Sequence, residues 1–464
     1  MTPYDMNADF TGVKCASYYE TVQFIIKDCD AALSCADLPW RITTDAENGR
    51  LPKSIAWAIK SRMALYAASP LYTGSDDHWQ EAYTVTKAAK DALSGLGYKL
   101  YTTMHDVNLY AGSNSYFAYD GYPENLKKKA GIYNEFFCTS LTNSSTPVDC
   151  ETIFQTQTTQ PPCYLEGLAA QNGTYCTGTC PSQELVDSYE TYDGQPVVDI
   201  AKPYIDEETH MQPNFNKDNI LYNDQDPYKN RDPRFYASIY YNGSQRYTWW
   251  TCAELPACKE NYPGNPGVRL RKIMTYEGEP ITGYTPSNWS LTNTGYYIRK
   301  FNDPNVGMQN MHNQANFKEY RYAEILLNFA EAAAHTGHSA EAIAAVNEIR
   351  DRVGMPPISS SLTGDVLLQR IYHERRIEFA LEEQRYFDVR RWTKPDGDLA
   401  KTDKWVSAIH ITRNDDGSFT YKRGMAIGKQ RECYTNKYLK CAIPMAEANR
   451  ILSITGENWQ NPGW

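Results

Sequence analysis

The sequence lacks any apolar run approaching the roughly 20 residues that a helix needs to cross a bilayer, which excludes a helical membrane span. It is also short of positive charge. Lys and Arg total 46 against 56 Asp and Glu, a net charge of −10. Phosphate binding needs a basic surface, so nucleic acid is excluded as the main partner. The common catalytic spacings are missing too: there is no GxSxG, P-loop, HExxH, or GxGxxG in a strand–helix context. His is scarce at 8 residues, and His335 and His338 lack the carboxylate–Cys set of a metal centre. Asp76-Asp77 and Asp224-Gln225-Asp226 lack the ligand spacing of a dedicated calcium loop. No cofactor, metal ligand or catalytic residue is therefore assigned. Met1 to Asp9 is polar and contains Pro, unlike a secretory signal. Phe is sparse, 14 against 36 Tyr, which favours wet, hydrogen-bonding aromatic surfaces over a dry core.

What is present is mostly helical periodicity at the two ends. From Phe317 to Trp392, Tyr322, Ile325, Leu326, Phe329, Ala330 and Ala333 recur at helical spacing and predict one apolar face. Gly337 stops that helix, and Ser339 is placed to cap the next. Ile343, Val346, Ile349 and Val353 carry the second face, which Gly354, Pro356 and Pro357 end. Ala332, Ala333 and Ala334 allow close approach, so the unit reads as TPR-like. The first hundred residues predict three more such helices, about Ser17 to Ala36, Pro52 to Ala68 and Trp79 to Ser94. A final short helix is expected near Met445 to Asn449, after a hairpin-like turn at Asn414-Asp415-Asp416-Gly417.

Between the helical ends the pattern changes. From Tyr98 to about Asn316, Gly, Pro, Asn, Asp, Ser and Thr dominate, with strand-like runs at Phe235 to Tyr241 and Gly295 to Phe301. This stretch holds 23 of the 36 Tyr, which predicts an ordered, surface-presenting segment packed on the helices. The fold class expected is mainly α: TPR-like helical hairpins packed against a large loop-rich segment with a few short strands. The divisions are 1–97, an N-terminal TPR-like part; 98–316, the loop-rich, aromatic-rich ligand-binding segment; and 317–464, the C-terminal TPR-like helices and tail.

The chain has 12 Cys, several close in sequence: Cys29 with Cys35, Cys138 with Cys150, Cys176 with Cys180, Cys252 with Cys258, and Cys433 with Cys441. An even total of near pairs predicts loop-closing disulfides in an exported protein. None of the spacings is that of a zinc site.

Six stretches, in order, carry a family resemblance. They are Gly49-Arg50 with the following LPKSIAWAIKSRMALYAASPLY; RDPRFYASIYYNG, Arg231 to Gly243; YYIRKF, Tyr296 to Phe301; RYAEILLNFAEAAAHTG, Arg321 to Gly337; HERRIEFALEEQRYFDVRRW, His373 to Trp392; and IPMAEANRILSITGENWQNPGW, Ile443 to Trp464. The chain resembles the SusD/RagB family of outer-membrane-associated, nutrient-binding lipoproteins from about Val13 onward. The resemblance implies a non-enzymatic, surface-exposed protein that binds oligosaccharide or polysaccharide. It implies delivery of that ligand to a SusC-like TonB-dependent outer-membrane transporter, which the helical scaffold would face. Some members carry a structural calcium; no site for one can be placed here. Members carry a lipoprotein signal, a lipidated Cys and helical units well before the Gly-Arg element. That element begins here at residue 49, so a missing N-terminal portion is expected, and no Cys is assigned as the lipid anchor. The alternatives are a peptide or glycopeptide binder using the same type of transporter, a helical scaffold for protein–protein contact alone, and, ranked last, a hydrolase.

A sugar offers C–H faces and hydroxyl edges, so its site needs flat aromatic platforms beside polar side chains. The candidates are Tyr247, Trp249 and Trp250 in one polar loop and Tyr284 and Trp289 in another, with Trp40 and Tyr72 as outer candidates. Trp57, Trp79, Trp392 and Trp405 sit in or beside periodic helices and read as scaffold. On the helix after Gly364, Arg375 shares an apolar face, with Glu378 and Glu382 in reach. A glycosidase pair must face across a cleft of roughly 5–10 Å, which residues on one helix cannot do. These charges are therefore expected to form a buried structural ion network.

Overall fold

The computed structural model describes residues 8–47, 49–105, 118–119, 121–138, 149–156, 179–247, 270–279, 283–285, 291–301, 317–399, 405–426, 428, 431 and 435–464. The chain opens with α1, Tyr18–Ser34. Ser17 caps it: its hydroxyl accepts from the Glu20 amide at 3.1 Å while the Glu20 carboxylate accepts from the Ser17 amide at 2.8 Å, a reciprocal box that satisfies two otherwise orphaned donors. Then come α2, Lys53–Ala68, after Pro52, and α3, Trp79–Gly95. The three predicted N-terminal helices are all present, within two residues of their expected ends.

The loop-rich middle contains α4, Glu124–Cys138, then β1, Thr152–Gln155, α5, Gln183–Ser188, α6, Pro233–Ser238, β2, Ile239–Tyr240, β3, Gln245–Tyr247, β4, Leu270–Lys272, and β5, Tyr297–Ile298. The C-terminal part continues with β6, Lys318–Arg321, α7, Tyr322–His335, α8, Ser339–Arg352, α9, Gly364–Glu378, and α10, Gln384–Trp392. It ends with β7, Ser407–Arg413, β8, Phe419–Met425, and α11, Met445–Thr455. The described strands form four antiparallel pairs, β1–β6, β2–β5, β3–β4 and β7–β8. The predicted turn at Asn414–Gly417 joins β7 to β8, with Gly417 at φ +84°. The architecture is mainly α with a few short strands, as the sequence implied.

The helical ends share one core. α2 and α3 pack on α7, which in turn packs on α8 and α9. Leu65, Ala82, Ala89 and Leu93 meet Ile325, Leu326, Phe329, Val346 and Ile371 in a single buried cluster. Ala332 and Ala333 are wholly buried, which is the close approach their size predicted.

Two features of the middle differ from the sequence reading. First, α4 was not anticipated. Its sequence, ENLKKKAGIYNEFFC, has three consecutive lysines in its first half and carries Gly131, so its period is masked, yet everything from Ala130 to Cys138 is buried. Second, the run from Phe235 is not all strand. Asp232 accepts from the Arg234 amide at 2.8 Å and Pro233 occupies the first turn, so Pro233–Ser238 winds into a helix before β2 begins.

The tyrosines also do something other than present a wet surface. Tyr122, Tyr133, Tyr189, Tyr236 and Tyr296 are buried with Phe136, Phe137 and Phe235 in a second core. A core made by loops contains many unpaired carbonyls, and Tyr can fill space and donate to them. Tyr122 donates to the Arg231 carbonyl at 2.6 Å, Tyr133 to Glu378 O at 2.9 Å, and Tyr236 to Tyr228 O at 2.7 Å.

The expected disulfides do not form where the residues are described. Cys29 and Cys35 are both free thiols. Cys29 is buried on α1, while Cys35 follows the helix as its extended C-cap and is exposed. Cys150 donates its thiol to the Leu100 carbonyl and Cys138 to that of Lys300, so these two do not pair. Cys441 is an exposed free thiol. Cys176, Cys252, Cys258 and Cys433 lie outside the described residues.

Candidate functional site

The charge cluster after Gly364 is a buried structural network, as expected, but with different pairs. α9 ends at Glu378, and Leu381 adopts φ +66°, which turns Glu382 away from the helix axis. Arg375 therefore bonds Asp388 at 3.2 Å and Asn328 at 2.8 Å, not Glu378 or Glu382. Glu378 receives Arg321 at 2.7 Å, Arg234 at 3.1 Å and Arg352. Glu382 receives Lys300 at 2.6 Å and Arg321 at 2.7 Å. Glu374 sits between Arg234 at 2.5 Å and Arg350 at 2.9 Å. Burial pushes the Glu378 carboxyl up, but Arg352, Arg321 and Arg234 outweigh it and hold it well below the usual range. A wholly buried, multiply bonded carboxylate has no access to a glycosidic bond. These groups join loops to helices.

A candidate site lies instead where β2 turns into β3. Asn242 and Gly243 form the centre of a turn in which the Ser244 amide bonds the Tyr241 carbonyl at 2.9 Å. Gly243 takes φ +93°, a conformation that favours Gly. Beside this turn lies an open cleft of about 290 Å³. Tyr119, Tyr241 and Tyr421 supply aromatic walls, and Asp226, Asn242, Lys229 and Lys272 supply polar groups. The walls are held from behind. Tyr228 packs edge-on to Tyr421 at 5.5 Å and against Tyr241 at 4.7 Å, and the Tyr119 hydroxyl donates to Asn230 at 2.6 Å. Asn242 accepts from the Thr275 amide at 2.8 Å, which fixes its amide plane. Burial pushes the Tyr421 phenol up, opposed by a hydrogen bond with Asn242, so it stays neutral. Asp226 and Lys229 pair at 2.7 Å on the exposed rim. Flat rings with a rim of donors and acceptors can stack on a sugar face and bond its hydroxyls.

The predicted site residues are distributed unevenly around this cleft. Tyr247 ends β3, paired with Leu270, two positions after Gln245, which lines the cleft; its side chain lies outside the described residues, as do Trp249, Trp250 and Trp289. Tyr284 is buried against Ala408 and Ala426, edge-on to His410 at 4.5 Å. Tyr72 stacks on Tyr18 at 3.9 Å and so braces α1. Trp40 is exposed, with the Lys53 ammonium 5.0 Å from its ring. Tyr119, Tyr241 and Tyr421 were not picked out from the sequence. The available signal was the Asn242-Gly243 turn next to a Tyr pair, inside the motif from Arg231 to Gly243.

Among the described residues, no helix is long and apolar enough to cross a membrane, and no group of three or more His, Cys, Asp or Glu is arranged to hold a metal ion.

Helical hairpins bracing a loop-built, Tyr-walled cleft define a scaffold-and-cleft binding protein. The chain belongs to the SusD family, whose sequence profile matches residues 141–464. It is similar to the SusD-like protein P2 of Formosa agariphila, 38% identical over 94 residues, covering 18% of this chain and 19% of that protein. The match therefore spans about a fifth of that relative's length. A SusD-like protein from Bacteroides fragilis NCTC 9343 superposes with a TM-score of 0.68 at 25% identity, over 99% of this chain and 74% of that one. A SusD-like carbohydrate-binding protein from the same organism shares the fold, with a TM-score of 0.61 at 19% identity, over 95% of this chain and 71% of that one.

Proposed function

We infer that this chain binds oligosaccharide or polysaccharide without cleaving it and delivers it to a SusC-like TonB-dependent transporter at the outer membrane. The single observation that carries the reading is the cleft beside Asn242-Gly243, where three tyrosines and a polar rim converge. Trp249 and Trp250 follow the last residue of β3 by two and three positions in the chain. The tryptophans would add platforms to those the cleft already has, and Trp289 would do so from the second loop. Family membership supports the reading, as does the description of a structural relative as carbohydrate-binding. Surface exposure at the outer membrane and docking of the helical face on the transporter belong to the same proposal. So does the division of labour by which residues 98–316 hold ligand and the flanking helices hold the fold.

Calorimetry against a panel of neutral and charged polysaccharides tests it. Binding should weaken on Tyr119→Ala or Tyr421→Ala, and on Trp→Ala at 249, 250 or 289. A chain that binds peptides and no glycan would place it with the peptide carriers instead. Release of reducing ends from any bound glycan would contradict the non-enzymatic reading.

A further inference from the structure

A second cavity, of about 400 Å³, lies away from the Asn242 turn, between α9, α10 and the loop from Ile200 to His210. Three observations set it apart. The first is an unpaired cation. Arg370 and Arg375 of α9 are both engaged, with Glu190 at 2.6 Å and with Asp388 at 3.2 Å. Arg376, half-buried and lining the cavity, has no hydrogen bond or ion pair among the described residues. The second is an unpaired acceptor. Glu184 is buried; its Oε1 accepts from the Ser407 amide at 2.8 Å and the Ser407 hydroxyl at 2.7 Å, and lies 3.1 Å from His210 Nδ1. Its Oε2 has no partner among the described residues. Burial pushes this carboxyl up, but the bonds from His210 and Ser407 outweigh it, so it is ionised at neutral pH. The third is an aromatic wall: Tyr372 and Trp392 both line the cavity, stacked on each other at 4.1 Å, with the Arg391 guanidinium over the Trp392 ring at 4.9 Å.

The cavity is built and not a gap between loops. The Trp392 indole donates to Glu331 at 2.9 Å. The His210 ring stacks on Tyr204 at 4.3 Å, and Tyr204 donates to Asp187 at 2.9 Å. Lys202 stands at the mouth, only loosely opposed by Glu207 at 4.0 Å.

An orphaned buried carboxylate oxygen calls for a donor, and a free guanidinium calls for an anion whose two oxygens match its fork. A planar face calls for a ring. No neutral sugar supplies the anion, and sulfate supplies no donor. We propose that this cavity is a second saccharide site, selective for a sugar carrying a carboxylate. The carboxylate sits on Arg376 with Lys202 beside it, a ring hydroxyl donates to Glu184 Oε2, and the sugar lies along the Tyr372–Trp392 wall. The ligand class rests on the glycan-binding reading, but the site is separate from the Tyr119–Tyr421 cleft.

The test titrates the full chain with trimers of galacturonic acid and of glucuronic acid, with galactotriose as the neutral control and sodium sulfate as the bare anion, by calorimetry and saturation-transfer NMR. One uronic acid trimer should bind at least tenfold more tightly than galactotriose. Arg376→Gln should weaken that binding at least tenfold, Arg376→Lys should restore part of it, and the melting temperature should hold. Uronate binding unchanged in Arg376→Gln overturns the proposal, as does competition by sulfate with no preference for the sugar. If neutral glycans bind the first cleft while Arg376→Gln changes nothing, this inference fails and the general reading stands. If no saccharide of any kind binds, both fail.

Discussion

Arg234 Nη1 lies 2.5 Å from Glu374 Oε1, across 140 positions of chain. Both side chains are almost wholly buried, and each belongs to a different sequence motif, RDPRFY and HERRIEF. The bond ties the loop-rich middle to α9, and Arg234 extends it to Asp232 at 2.8 Å and to Glu378 at 3.1 Å. Breaking a buried pair by removing one partner leaves an uncompensated charge and costs about 3–5 kcal/mol. Arg234→Met should therefore destabilise the protein by roughly that amount in urea denaturation. The double variant with Glu374→Met should show a coupling above about 1 kcal/mol. Simple additivity would mean the pair is not the joint described here.

Acid should dissolve the same joint. In Glu374, Glu378, Glu190 and Asp388 burial pushes the carboxyl up, and guanidiniums outweigh it: Arg234 and Arg350 for Glu374, Arg352 and Arg321 for Glu378, Arg370 and Arg350 for Glu190, and Arg375 and Arg391 for Asp388. All four folded values are lowered. Their stabilisation is thus fully present above the unfolded range of about 4, and is lost as pH falls from there through the folded values. The melting temperature should decline modestly below about pH 6.5, where His335 and His373, whose folded values burial lowers, cost stability on acidification, and fall steeply below about pH 4. A rise on acidification to pH 3 would contradict the network.

Gly295 makes a third, local prediction. It has φ +86°, and a Cβ built there would stand 2.5 Å from Ile409 Cγ2 and 2.6 Å from the Ile409 carbonyl oxygen. Strain and overlap act together, so Gly295→Ala should cost more than about 2 kcal/mol. Gly12→Ala, also at positive φ but with open space around it, should cost only the conformational part, roughly 1 kcal/mol. Equal melting temperatures for the two variants would show that β7 does not press on residue 295.

How far the sequence could be read follows from where its order is local. The end helices were legible because Tyr322, Ile325, Leu326 and Phe329 repeat with the helix and Ser17, Gly337 and Gly354 punctuate them. The ion network was legible in kind, since Arg375, Glu378 and Glu382 are too charged to be buried singly. Its pairing was not, because Leu381 turns the chain at a positive φ that no local pattern announces. The Tyr-rich middle was read as surface because burial of Tyr122, Tyr133 and Tyr236 depends on acceptors distant in sequence, such as Glu378 O for Tyr133. The cleft was missed for the same reason: Tyr119, Tyr241 and Tyr421 come from three separate stretches.

Catalysis makes a fourth prediction. Glu374 and Glu378 are each held by two or more cations, so neither can serve as acid or nucleophile. Incubating the protein with any glycan it binds should release no reducing ends over days. Release that disappears in Glu378→Gln, with the fold intact by circular dichroism, would reverse this assignment.

The most direct test of the central claim is calorimetry of the purified chain and of Tyr421→Ala against the same polysaccharide panel. At least one glycan should bind the native chain, and the variant, still folded by circular dichroism, should bind it about tenfold more weakly, ~1.4 kcal/mol. Binding of no glycan, or undiminished binding in Tyr421→Ala and in Tyr119→Ala, would contradict the assignment of the cleft.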